Sequence, residues 1–130
     1  MAKNVLNKSD LVTDQSLLEN FTSENTNIMH VDNVTYIVSF TDATDAYGTF
    51  NVQVTQAKPG TPESTWHWTT LPVTDLLTGE ILTDIPVATP FEDIVISPLF
   101  ANFSNIRLDY TAGGGSDGYC NISINAKSLS

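Results

Sequence analysis

Hydrophobic and polar residues alternate along the last part of the chain with a period of two. In residues 105–111, Ile106, Leu108 and Tyr110 alternate with Arg107, Asp109 and Thr111. In residues 119–127, Cys120, Ile122, Ile124 and Ala126 alternate with Asn121, Ser123, Asn125 and Lys127. Successive side chains of a strand point to opposite faces, so each segment predicts a strand with one buried and one wet face. The four glycines between them, with Ser116 and Asp117, supply positive-φ backbone and local hydrogen bonding but nothing to pack. The expectation is a β-hairpin whose apolar face must be covered by the rest of the chain.

The same pattern recurs earlier. Val34, Tyr36, Val38 and Phe40 alternate with polar residues up to Thr41, with Ile37 as the exception, and Phe50, Val52 and Val54 alternate with Thr49, Asn51, Gln53 and Thr55. With a turn-forming connection over residues 42–48, this predicts a second hairpin. Residues 58–63 hold two prolines and a glycine and read as a loop. Short strands are expected at 64–72, where Trp66 and Trp68 share a face, at 80–82 and at 93–97, with a turn at 76–79. Residues 15–21 fit a first strand or a short helix. Residues 1–14 show no sustained period and are expected to form an extended arm, leaving residues 15–130 as one domain. Seven or eight short strands separated by turn signals predict an all-β antiparallel sandwich of jelly-roll type.

Composition narrows the function. The chain has 130 residues, a size that suits one domain. Its 15 acidic residues against five basic ones give a net charge of −10, which repels nucleic acid and anionic membrane surfaces. The N-terminal sequence has no apolar signal-peptide core, so synthesis in a cytosol is expected. Cys120 is the one cysteine, falls on an inward position and reads as a small buried hydrophobe.

Candidate chemistry is sparse. His30 and His67 belong to no metal-binding spacing, and Asp42 and Asp45 before Gly48 read better as turn residues than as calcium ligands. Gly113–Gly115 precede a strand rather than a helix, which argues against a phosphate cradle. Neither a nucleophile motif nor an acid set in an apolar run points to hydrolysis, so no enzyme, metal or cofactor is expected. Trp66, Trp68 and Tyr47 compose a candidate sugar platform, weighed against a plainer reading in which one or both tryptophans anchor the core. Arg107, the one arginine, is expected to meet a carboxylate, within the chain or across a subunit boundary.

Two stretches resemble a family of small β-sandwich virion proteins of tailed bacteriophages. They are residues 36–56, with Gly-Thr-Phe-Asn-Val-Gln-Val at 48–54, and residues 106–127, with Ile-Arg-Leu-Asp-Tyr-Thr, the glycine turn and the closing Ala-Lys. Trp68-Thr69-Thr70-Leu71 stands for the family's middle Trp-x-x-Leu. The family's Ser-Asn-Asp is replaced here by Thr55-Gln56-Ala57, and the closing turn is longer. The resemblance implies a structural virion protein without an active site. Among virion roles a capsid decoration (cement) protein is expected, binding the major capsid protein, with a homotrimer favoured and the arm carrying Lys3 and Lys8 as a tether. A neck, tail or baseplate component, and a glycan- or receptor-binding module, are the alternatives.

Overall fold

The computed structural model describes residues 5–29, 31, 33–58, 60–74, 79–87, 91–98 and 103–127. Among them the chain forms β1 (Val5–Ser16), β2 (Phe21–Thr22), β3 (Thr26–Asn27), β4 (Asn33–Thr41), β5 (Ala46–Thr55), β6 (Thr69–Leu71), β7 (Val73–Thr74), β8 (Ile81–Leu82), β9 (Ile85–Val87), β10 (Ile94–Pro98), β11 (Asn105–Gly115) and β12 (Tyr119–Lys127). One short 3-10 turn, Glu63–Thr65, precedes β6. The strands make two antiparallel sheets, in the orders β1-β12-β4-β10-β7-β8 and β2-β11-β5-β6; β3 also pairs with β11, and β9 with β5. The sheets close on one core, an all-β sandwich as the alternation predicts.

The predicted inward faces are the observed ones. Val34, Tyr36 and Val38 of β4, Phe50, Val52 and Val54 of β5, Ile106, Leu108 and Tyr110 of β11, and Cys120, Ile122 and Ile124 of β12 are all buried.

The predicted hairpins are not found. β12 pairs along its length with β4, Ile122 opposite Val38, while β11 pairs with β5, Leu108 opposite Val52. Each supposed hairpin is instead an arch: the chain leaves one sheet, crosses the roughly 10 Å between layers and enters the other. β1 and β2 make a third arch. In sheet order the three stand side by side, β1-β12-β4 facing β2-β11-β5. Alternation cannot separate these cases, because the arms of a hairpin and of an arch both turn apolar residues toward the core.

Local chemistry favours the crossing. Gly113–Gly115 do not form the turn; they continue β11 past an irregularity, and Gly115 lies opposite Ala46. A Cβ on Gly115 would stand 2.3 Å from the Asp45 carbonyl oxygen, and its φ of +106° also demands glycine. Gly48 has the same role on β5, since a Cβ there would stand 2.3 Å from the Tyr110 hydroxyl. The glycines thus permit close approach between strands, and residues 116–118 make the crossing.

The polar segment expected as an extended arm outside the domain is also different. Over Val5–Ser16 it is the edge strand β1, paired with β12 from Val5 opposite Lys127 to Ser16 opposite Tyr119. It runs through the domain boundary expected at residue 14. Register shifts between Lys8 and Val12 and between Val12 and Gln15 break its alternation, the physical reason its sequence shows no period. Residues 15–21, left between strand and helix, hold the end of β1, a turn and the start of β2.

Candidate functional site

The three crossings stack at one end of the sandwich and are tied together. The Asp117 carboxylate accepts hydrogen bonds from the backbone N–H of Thr44 (2.9 Å) and of Asp45 (2.7 Å), and from the Thr44 hydroxyl. In return Ser116 and Asp117 donate their N–H groups to the Asp45 carbonyl, and the Ser116 hydroxyl donates to the Asp45 carboxylate. The Thr44 hydroxyl bond, then the N–H groups of Thr44 and Asp45, hold the Asp117 carboxyl below its ordinary 3.8, against a small opposing effect of burial. The third crossing joins through Leu17, whose N–H meets the Gly118 carbonyl at 3.0 Å and whose own carbonyl accepts the Tyr110 hydroxyl at 2.7 Å. Asp42 and Asp45 are turn residues here, and among the described residues no three His, Cys, Asp or Glu side chains cluster as metal ligands. Cys120 is buried, and burial pushes its thiol up to about 12.

The outer face of the β2-β11-β5-β6 sheet gathers the other candidates. Arg107 points outward from β11, directly opposite Gln53 of β5, which in turn stands opposite Thr70 of β6. No acid occupies these facing positions, so the carboxylate expected within the chain is replaced. Arg107 donates its Nε–H to Gln53 at 2.7 Å and lays its guanidinium over the Trp68 ring, 4.0 Å from the centroid. Trp66 stands next to Trp68, ring centroids 6.2 Å apart and planes inclined at 49°. Its indole N–H donates to the Thr61 hydroxyl at 3.0 Å. The Trp66–Trp68 pair and Arg107, singled out apart from it in the sequence, therefore form one cluster.

Neither tryptophan belongs to the buried core; both are half-buried outside it. The expected 64–72 strand begins only at Thr69, because the Glu63–Thr65 turn takes up the preceding residues. His67 is exposed. Tyr47 is 55% exposed but lies beyond Gly48, toward the arch end of β5, and does not join the platform.

The loop carrying Trp66 is braced at several points. Thr61 closes a turn onto the Lys58 carbonyl through its N–H, Thr65 and Trp66 donate their N–H groups to Pro62 and Glu63, and Glu63 accepts from Asn25 at 2.8 Å. The Thr55 hydroxyl donates to the His67 carbonyl at 2.6 Å. Beneath this loop lies an open groove of about 490 Å³ with Trp66 in its wall. Sequence reasoning named the aromatic residues but had no signal for the groove, which depends on where the proline-rich loop folds back.

Lys8 sits apart on β1, where it forms an exposed ion pair with Glu24 at 3.3 Å. Lys3 and His30, and most of the turn expected at 76–79, lie outside the described residues.

No protein-family model and no curated protein sequence matches the chain. Among solved structures, that of the SPBc2 prophage-derived protein YomS aligns with a TM-score of 0.64, covering 98% of this chain and 96% of that one, at 9% sequence identity. At that identity the likeness is one of fold, and it runs nearly end to end.

Proposed function

We propose that this chain is a non-enzymatic structural protein of a bacteriophage particle, and that it decorates the outside of the head by binding the major capsid protein. The observation that carries this reading is the nearly full-length likeness of fold to a prophage-derived protein. The resemblance of residues 36–56 and 106–127 to small virion proteins of tailed bacteriophages points the same way. The net charge of −10 suits an outer position better than contact with packaged DNA.

The fold changes how such a protein would hold on. Residues 5–14 are committed to β1 and are not a loose tether, so attachment falls to the body of the sandwich, its sheet edges and its loops. A homotrimer seated over a junction between capsomers remains the favoured assembly.

Quantitative mass spectrometry of purified particles tests the reading. Copies comparable in number with the major capsid protein are expected. A handful of copies would replace head decoration by a neck, tail or baseplate position, and absence from the particle would overturn the virion role.

A further inference from the structure

We propose that the groove beside Trp66 binds an oligosaccharide carrying anionic groups, carboxylate or phosphate. Its volume of about 490 Å³ falls within the ~300–1,000 Å³ of small-ligand sites. Its lining supplies what a sugar requires: the Trp66 ring for the apolar C–H face, and Thr65, Thr69 and His67 among the polar groups for its hydroxyls. Trp66 and Phe103 give the groove two aromatic residues, and Thr61, Thr65, Thr69 and His67 set hydroxyl and imidazole groups among them.

Charge selects the anionic class. The chain carries 15 acids against five bases, yet no Asp or Glu is among the residues lining this groove, and Lys58 is. Arg107, stacked on Trp68, is linked to the groove's Trp66 through the pair of indole rings, so a second of the five bases belongs to the same cluster. A concave site with the opposite sign from its surroundings concentrates anions.

The wall is held before any ligand arrives. Gln53 fixes Arg107, Arg107 carries Trp68, Trp68 abuts Trp66, and Thr61 holds the Trp66 indole N–H. Little side-chain freedom is left to lose on binding, which favours affinity. Arg107 acts here as a positioning residue and a source of positive potential, and Lys58 is the cation that meets the ligand.

The test uses a property of the chain itself: its two tryptophans are both in this cluster, so intrinsic tryptophan emission reports on the site alone. The full chain is titrated with trigalacturonate and with phosphorylated maltotriose, alongside neutral maltotriose and sodium sulfate. At least one acidic trisaccharide is expected to give a saturable change with a Kd of about 1 mM or tighter. Lys58→Gln is expected to weaken it about tenfold at an unchanged melting temperature, since Lys58 is exposed. Trp66→Ala, followed by calorimetry with circular dichroism as the folding control, is expected to abolish binding. No saturable response to either acidic trisaccharide overturns the proposal. So does an equal response to neutral maltotriose or to sulfate alone, or an affinity indifferent to Lys58→Gln.

Discussion

The two polar regions of this sandwich are built on opposite plans. At the arch end, hydrogen bonds run between segments far apart in sequence, from 17 to 118, from 44 and 45 to 116 and 117, and from 110 to 17, and glycines admit backbone contact too close for any side chain. On the outer face of the β2-β11-β5-β6 sheet, the 58–68 loop is braced largely by its own turns, and its large side chains stay half-exposed. The first region is closed on itself and holds the two sheets together. The second keeps its two tryptophans half-buried outside the core, where each retains exposed surface able to touch a partner.

The difference can be broken hardest at Gly48. Gly48→Ala sets a Cβ 2.3 Å from the Tyr110 hydroxyl and 2.7 Å from the Thr111 carbonyl, and is expected to cost about 3 kcal/mol in chemical denaturation. Two buried tyrosines then sharpen the contrast within the core. Tyr110→Phe leaves the buried Leu17 carbonyl without its donor and is expected to cost about 1–2 kcal/mol. Tyr36→Phe removes a buried hydroxyl that has no partner among the described residues and is expected to leave stability equal or higher in the same assay.

Asp117 tests the arch end by pH. Its folded carboxyl is held below 3.8, so its contribution is fully present above that value and is lost as pH falls through the lower folded value. Melting temperatures of the parent chain and of Asp117→Ala are expected to differ near neutrality, with Asp117→Ala the lower, and to converge below 3.8. A modest effect belongs to the outer face. Arg107→Ala is expected to cost about 0.5–1 kcal/mol while visibly altering tryptophan emission, since it strips the cation from one face of Trp68.

What was legible in the sequence was the direction of side chains. Alternation placed Tyr36, Phe50, Leu108 and Ile122 inward correctly because burial of one face is a local property of a strand. Strand partners were not legible, because the choice between hairpin and arch rests on whether residues 116–118 turn back or cross, and on the Gly48–Tyr110 and Gly115–Asp45 approaches between distant segments. β1 was hidden by its own irregularities, which put more residues on one strand than on its neighbour and erased the period. At the candidate site, Trp66, Trp68 and Arg107 were visible as unusual residues, but their meeting depends on β11, β5 and the return of the 58–68 loop. Within the chain Arg107 meets Gln53 rather than a carboxylate, because register, rather than net charge, chose its neighbour.

Inter-strand nuclear Overhauser contacts measured on the labelled chain test the arch arrangement most directly. Backbone contacts are predicted between Leu108 and Val52 and between Ile122 and Val38, with residues 105–111 and 119–127 never backbone neighbours of each other. A ladder of contacts joining those two segments would make them a hairpin and contradict the account.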